Sequence, residues 1–508
     1  MNSVVMWIGG VVAAILAALF AVPLFVDWNG YRGVFEEEAS RILGRDVRVG
    51  GAVNLRLLPT PYLRFEKLRI ADTSEGASEP LFRAETFTLW LSVPPLLKGD
   101  IEVRRIALNK PVVNLKLDRT GVGNWASLGI EKARLPFVPQ NVALQSVEIA
   151  GGSVSLTHAT GGVLARLEEI EGDVAAEALA GPYKLTANAV WNGSPRELRL
   201  ATSTVEADGT MRFKGSARTR TAPGERAGLS AQLDGGIVDI AGAVRVDGQL
   251  TLQVPLPELP SATAATAAPA ATPAAAADAP TSGDASSSAA RPAPPLALDI
   301  KGRLGIDARQ LTASELVASI ENTGQPQLVN GAASLVWGEP PRLDFNASAR
   351  WLDFDRLAPS GGRASPVETL ASIARGIVAV LPERTAVRGG VGIEQITLGG
   401  EAVGGLELAL ARDAIGPLRI ERFFAELPAG ARLGADGTLA DLNGRLDLAG
   451  RVTLAGPSLA RFSRWAAAGN AAGAMAPEGA FSIDAGTTFS AGTLKLYDAK
   501  FRLAGHAM

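Results

Sequence analysis

The chain has 508 residues, a formal net charge of −3, 20% charged side chains and no cysteine. A charge balance this near zero removes the electrostatic case for nucleic-acid binding, and a chain without cysteine has neither a disulfide framework nor a thiolate metal site. Glycine is abundant (56 residues), aromatics are few (6%), and Val, Leu and Ile alternate with polar residues, which is a β composition with many turns.

Residues 4–26 run apolar without a single charge. At about 1.5 Å per residue a helix over them spans roughly 34 Å, enough for a hydrocarbon core. Helix is the conformation that satisfies its own backbone in lipid, and Trp7 and Trp28 stand near the two ends, where an aromatic belt sits. A cleaved signal peptide fits worse, because there is no Lys or Arg before the run, the run is too long, and no clean A-x-A site follows. Residues 1–28 therefore read as an uncleaved single-pass anchor with the bulk of the chain on the far side, which is the periplasm if the cell has two membranes.

Tyr31 to Leu43 reads as a short amphipathic helix with Val34, Phe35, Ala39, Ile42 and Leu43 on its apolar face. Glu36 to Glu38 face outward, and Gly44 is a C-terminal stop. Strand signals follow at Val47/Val49, Val53/Leu55/Leu57, Leu63/Phe65, Phe87/Leu89/Leu91, Ile101/Val103, Val113/Leu115/Leu117 and Leu144 to Ile149. Turns separate them at Pro59-Thr60-Pro61, Asp72 to Pro80, Lys98-Gly99-Asp100 and Thr120 to Asn124, and connections this short predict antiparallel meanders.

Beyond Gly151 the pattern repeats. Ala189 to Leu198 resembles Leu335 to Leu343, and Ala207 to Met211 is echoed by Ala435 to Leu439, each read as a strand ending in a turn. Residues 261–295 are almost wholly Ala, Pro, Thr and Ser; such a segment buries too little surface to offset its ordering entropy and reads as disordered, an insert by the likeness of its flanking strands or else a linker between two domains. Ser365-Pro366-Val367-Glu368 is a capping box opening a helix to about Leu381. Leu459 to Ala468 carries Leu459, Phe462 and Trp465 at three-residue spacing, and both helices read as plugs on a sheet end. The domains are thus 1–28, the anchor; 29–150; 151–260, a β-rich repeat region; 261–295, the insert; and 296–508, a second β-rich region.

Chemistry is sparse. The two histidines, His158 in a turn-like stretch and His506, fall in no metal-site spacing. No G-x-S-x-G elbow or Walker A is present, and Gly389-Gly390-Val391-Gly392 leads into a strand, without the helix N-terminus that holds phosphate. Glu168, Glu169 and Glu171 read as a solvated turn. We expect no enzyme activity and no cofactor. A long sheet with one apolar face must cover that face, and from pattern alone a sandwich core fits at least as well as a lipid-lined trough.

Between Leu43 and Trp125 the residues Gly44 to Gly51, Leu58 to Leu63, Pro80 to Ala84, Pro95 to Ile101 and Gly121 to Trp125 occur in an order that resembles the N-terminal region of the AsmA-like family of diderm bacteria. Residues 389–460 look like that family's C-terminal repeats. The resemblance implies an inner-membrane anchor, an extended, twisted antiparallel periplasmic sheet curled into an apolar groove, and kinship with TamB-like and chorein-like bridge proteins. It implies phospholipid transport or homeostasis between inner and outer membrane, with acyl chains as the partner. Many relatives are considerably longer, and the ending after Phe501 to Leu503 reads as that of a partial chain. The expected groove lining is Leu55, Leu57, Phe65, Phe87, Leu89, Leu91, Leu115 and Leu117. The alternative is a scaffold or assembly factor for outer-membrane or other envelope proteins, binding polypeptide through strand edges.

Overall fold

A computed structural model describes residues 7, 26–56, 60–72, 79–92, 103–126, 146–159, 162–176, 181–220, 228–240, 242–255, 297–320, 326–357, 365–366, 369–370, 373–374, 376, 381–382, 384–442, 445–467, 476–490, 493–503 and 506–507. The expected membrane span at 4–26 lies, apart from Trp7 and Val26, outside the described residues, as does the insert at 261–295. Among the described residues no helix is long and apolar enough to cross a membrane. The fold is mainly β, and the chain divides into two units, residues 1–252, 301–314 and 334–339 in the first and 253–300, 315–333 and 340–508 in the second.

The first unit opens with a 3-10 turn, Trp28–Tyr31, and the helix α1, Arg32–Leu43. Gly44 ends α1 at φ 65°, a left-handed conformation that glycine adopts without the Cβ penalty. The strands are β1 (Val47–Val49), β2 (Val53–Arg56), β3 (Tyr62–Ile70), β4 (Phe82–Leu91), β5 (Val103–Asn109), β6 (Val112–Leu117), β7 (Ser146–His158) and β8 (Val163–Ala176). β9 (Tyr183–Trp191), β10 (Ser194–Thr202), β11 (Met211–Thr219) and β12 (Ser230–Val238) continue the ladder. The β9–β10 hairpin turns at Asn192-Gly193, both at positive φ, which suits the twist of the flanking strands. β13 (Arg245–Pro255), β14 (Ala297–Ile306), β15 (Gln310–Ile320) and β16 (Gln327–Val336), each with residues in both units, follow in chain order.

β1 and β2 are one edge interrupted at Gly50-Gly51, and both pair with β3. β5 and β6 are likewise interrupted at Lys110-Pro111, and both pair with β7. The interruptions align with positive φ at Lys67, Lys110, Gly151 and Glu169 and with register shifts in the β7–β8 pair. A line of such irregularities bends a sheet and increases its twist. Glu168, Glu169 and Glu171 therefore sit within β8 at this bulge and not in a turn, and Glu171 Oε1 accepts from Gly151 N at 2.8 Å.

In the second unit β17 (Arg342–Asp353) leads through α2 (Phe354–Leu357) and a crossover, helical at residues 366, 369–370, 373–374 and 376, to β18 (Ala386–Leu398). β19 (Glu401–Arg412), β20 (Leu418–Leu427), β21 (Ala431–Leu442), β22 (Arg445–Gly456), β23 (Phe481–Ser490), β24 (Thr493–Leu503) and β25 (His506–Ala507) extend the ladder antiparallel. Between β22 and β23 lies α3, Leu459–Ala466, capped by Ser458 Oγ accepting from Arg461 N. Phe462 and Trp465 of α3 and Leu370 and Ile373 of the crossover pack on Ile396, Leu398, Val403 and Phe481, which are buried, so helices close the apolar face here. Trp465 Nε1 donates to Leu398 O at 3.0 Å, and both carboxylate oxygens of Asp355 accept from Gly399 N and Gly400 N at 2.8 Å.

Several expectations change. The sheet is mixed and not wholly antiparallel: β5 and β6 run parallel to β7, and β17 parallel to β18. A parallel pair needs a crossover, and the helix from Ser365, expected as an end plug, supplies one. Val34 is 63% exposed, because Phe35, Ala39 and Leu43 at fourfold spacing form the packed face of α1. Glu36 is engaged and not solvated, accepting from Val49 N at 2.7 Å. Ala207 to Met211 is a turn entering β11, whereas Ala435 to Leu439 lies inside β21, so that sequence echo is not a structural repeat. His158 ends β7, buried, its Nε2 2.8 Å from Ala308 O.

Candidate functional site: a one-sided apolar strip

In the first unit the register of the strands aligns apolar residues across the sheet. Leu55 stands opposite Leu63, Leu63 opposite Leu89, and Leu89 opposite Ile106. The row continues through Val147, Val174, Leu185 and Leu200. A second row, two residues along, joins Val53, Phe65, Phe87 and Leu108, then Ile149, Gly172, Ala187 and Leu198. Residues directly opposite share a face, and those two apart on one strand share it too. The two rows therefore form one continuous apolar strip.

The strip is neither sealed nor open. Leu63, Phe65, Phe87, Leu89, Ile106, Val147, Val174, Leu185, Leu198 and Leu200 are all half-buried, while their strand neighbours Glu148, Asp173, Thr186 and Arg199 belong to the opposite face. Ile170, Ala187 and Ala189 are buried in a cluster with Ile149, Val154, Leu167, Leu185 and Leu198, every one a strand residue. Among the described residues a helical roof lies on the β1–β4 end. There Phe35 of α1 stacks edge-on against Phe65 at 5.8 Å, Phe65 lies 6.4 Å from Phe87, and Trp28, Ala39 and Leu43 complete the packing on Val47, Val49, Val53 and Leu68.

Of the expected lining, Leu55, Phe65, Phe87 and Leu89 come together in the strip. Leu91 stands opposite Val103 at the end of β4, Leu115 and Leu117 on β6 stand opposite Leu156 and His158 beyond the break, and Leu57 lies outside the described residues. Sequence reasoning left out Ile106, Leu108, Val147, Ile149, Val174, Leu185, Leu198 and Leu200. The signal was there in their alternation, but which strands continue a row is a matter of register, which alternation does not specify.

The opposite face of the same strands holds a concavity of about 850 Å³ lined by Tyr62, Arg64, Thr88, Trp90, Glu148 and Asp173 among others. Arg105 lies 5.0 Å over the Trp90 ring and pairs with Glu148.

Two residues of the motifs that carried the family resemblance, Arg45 and Asn124, meet in a buried polar knot. Arg45, directly after the α1 cap, donates to Asn124 O and to Ala71 O (3.4 Å) and stands 3.9 Å from Asp72. The Arg45 and Asp72 side chains are 2% and 1% exposed. Lys116 Nζ is 2.9 Å from Asp72, and Asn124 Nδ2 donates to Asp72 Oδ1 and Asn114 O. Burial holds the Arg45 guanidinium below its ordinary pKa, and Asp72 opposes that shift. Asp118 closes the loop by accepting from Thr120 Oγ1 (2.7 Å), Thr120 N and Val122 N, and the Thr120 hydroxyl above all holds its carboxyl below the usual range. Trp125 Nε1 donates to Ile240 O at 3.2 Å. This knot fixes α1 and the Gly121 to Trp125 loop to the head of the sheet.

A model of the AsmA family matches residues 3–236. Protein AsmA of Escherichia coli (strain K12) is 30% identical over 101 residues, a stretch that covers 20% of this chain and 16% of that protein. No solved structure matches. The matched region holds the polar knot, α1 and the strip from β2 to β10, and over it this chain is similar to the AsmA family.

Proposed function

We propose that the chain holds phospholipid acyl chains on the apolar strip of its first unit, and that it serves lipid transport or homeostasis between inner and outer membrane as a non-enzymatic periplasmic protein anchored through residues 4–26. The observation that carries this reading is the continuous row of half-buried aliphatics from Leu55 to Leu200, whose described packing partners past α1 are strands only. A row of this kind offers a hydrocarbon tail contact along its length, and filling it removes apolar surface from water at about 25 cal/mol per Å². The test places a photo-reactive benzoylphenylalanine at Leu185 on the strip and, as control, at Thr186 on the other face. Lipid adducts at 185 and not at 186 support the reading; equal labelling, or none at 185, refutes it. Assembly of envelope proteins through strand edges is the second reading, favoured by Leu496 and Tyr497, both exposed on β24. It predicts protein adducts at 496 and no lipid at 185.

A further inference from the structure

The roof over the β1–β4 end of the strip is fastened unequally. The C-terminal end of α1 runs through Gly44 into Arg45, which is locked in the buried knot with Asp72 and Asn124. The N-terminal end is held by replaceable contacts: Val53 N donates to Asn29 Oδ1 at 3.0 Å, Val49 N donates to Glu36 Oε1 at 2.7 Å, and Phe35 lies on Phe65. Each of these polar contacts can be exchanged for water at little net cost. The outward side of the same end exposes Tyr31 (52%) and Val34 (63%), three residues apart and therefore neighbours on the helix surface, a few positions after the apolar run 4–26. A helix with Phe35 turned inward and Tyr31 and Val34 turned outward has apolar contacts to offer both the strip and a bilayer surface.

We propose that α1 is a lid on the groove, hinged at Gly44-Arg45, whose N-terminal end swings away to uncover Phe65 and Phe87 and admit a phospholipid acyl chain at the membrane side. The proposal rests on the acyl-chain reading above and adds the way in. With the lid down, α1 occupies the place over Phe65 and Phe87 that a chain would take; with it raised, the buried Arg45 keeps the helix attached and in register for closing.

The absence of cysteine makes the test direct. Glu36→Cys with Arg48→Cys, whose native side chains lie 3.6 Å apart, takes a short, reducible thiol cross-linker that holds the lid down. Glu85→Cys with Lys110→Cys, at a native separation of 3.0 Å, cross-links strands without touching α1. The full chain is placed in vesicles of phosphatidylethanolamine and phosphatidylglycerol, and uptake of a fluorescent phosphatidylethanolamine onto the protein is followed in time. Cross-linking 36 to 48 is expected to slow uptake by about an order of magnitude, with recovery on reduction and no slowing in the 85–110 control. Asn29→Ala, which loosens the lid without a cross-link, is expected to speed uptake. An unchanged rate in the fully cross-linked 36–48 protein overturns the lid while leaving the groove standing. Failure of the uncross-linked protein to take up any lipid overturns the groove and the lid together.

Discussion

Replacing Leu89 by Asp and, separately, Leu398 by Asp distinguishes an open strip from a sealed core. Leu398 is fully buried under α3 and the crossover. Its replacement forfeits about 1.5–3 kcal/mol of apolar burial. The new carboxyl must also stay neutral at pH 7, a shift of about three units at about 1.36 kcal/mol each, or about 4 kcal/mol. The total of about 6 kcal/mol rivals the whole stability of a typical domain, about 5–15 kcal/mol, so the second unit is expected to unfold at room temperature. Leu89 is half-buried and lies outside the cluster that α1 covers. An Asp there loses about half the transfer value, about 1 kcal/mol, and its carboxylate reaches water while no lipid covers the strip. The melting temperature should then fall by only about 2–4 °C, while lipid loading is lost because a charge now lies where a hydrocarbon tail must rest. Hydrogen exchange read by mass spectrometry assigns unfolding to each unit, and native mass spectrometry counts bound lipid. Global unfolding of the first unit by Leu89→Asp would refute the reasoning and make the strip a closed core. Retention of wild-type loading would refute it equally.

Other perturbations test the supporting structure. Asp72→Asn leaves Arg45 buried beside a neutral group and removes the Lys116 ion pair, for an expected loss of about 3 kcal/mol in a urea titration; a loss under about 0.5 kcal/mol would mean the knot is solvated. The Asp118 carboxyl has a folded-state pKa below its unfolded value, so its contribution is fully present above about pH 4 and disappears as pH falls through the lower folded value. Thr120→Val removes the largest cause, and the first unit should then lose less stability on acidification across that window than the wild type does. Gly389 faces the Phe345 ring across the β17–β18 pair, and a Cβ there meets the ring. Gly389→Val should therefore destabilise the second unit by about 1–3 kcal/mol, and Phe345→Ala in the same chain should recover part of that loss in a double-mutant cycle.

Local rules made much of this protein legible in its sequence. Alternation along Leu63/Phe65 and Phe87/Leu89 placed β3 and β4, Gly44 stopped α1, and Leu459, Phe462 and Trp465 marked the packed face of α3. Such signals depend on residues within one turn or one strand, so a window of sequence contains them whole. Val34 and Glu36 were misplaced because helical period gives a face to within a residue or two, and only the neighbouring Val49 N and Phe65 decide which edge of that face is buried.

What the tertiary structure decided is non-local. The line of breaks at Gly50-Gly51, Lys67, Lys110, Gly151 and Glu169 is visible only when six strands lie side by side, because each break alone resembles an ordinary turn or an unremarkable charged residue. The parallel pairing of β17 with β18 depends on a crossover whose helix reads the same in sequence as an end plug. Register made a single strip of Leu55, Leu89, Val147 and Leu200, which are far apart in the chain, and it brought Arg45, Asp72, Lys116 and Asn124 into one buried knot. The sequence by itself determined that each strand has an apolar side and a polar side; the pairing of separate strands determined that those sides join into one strip, covered by α1 at its β1–β4 end.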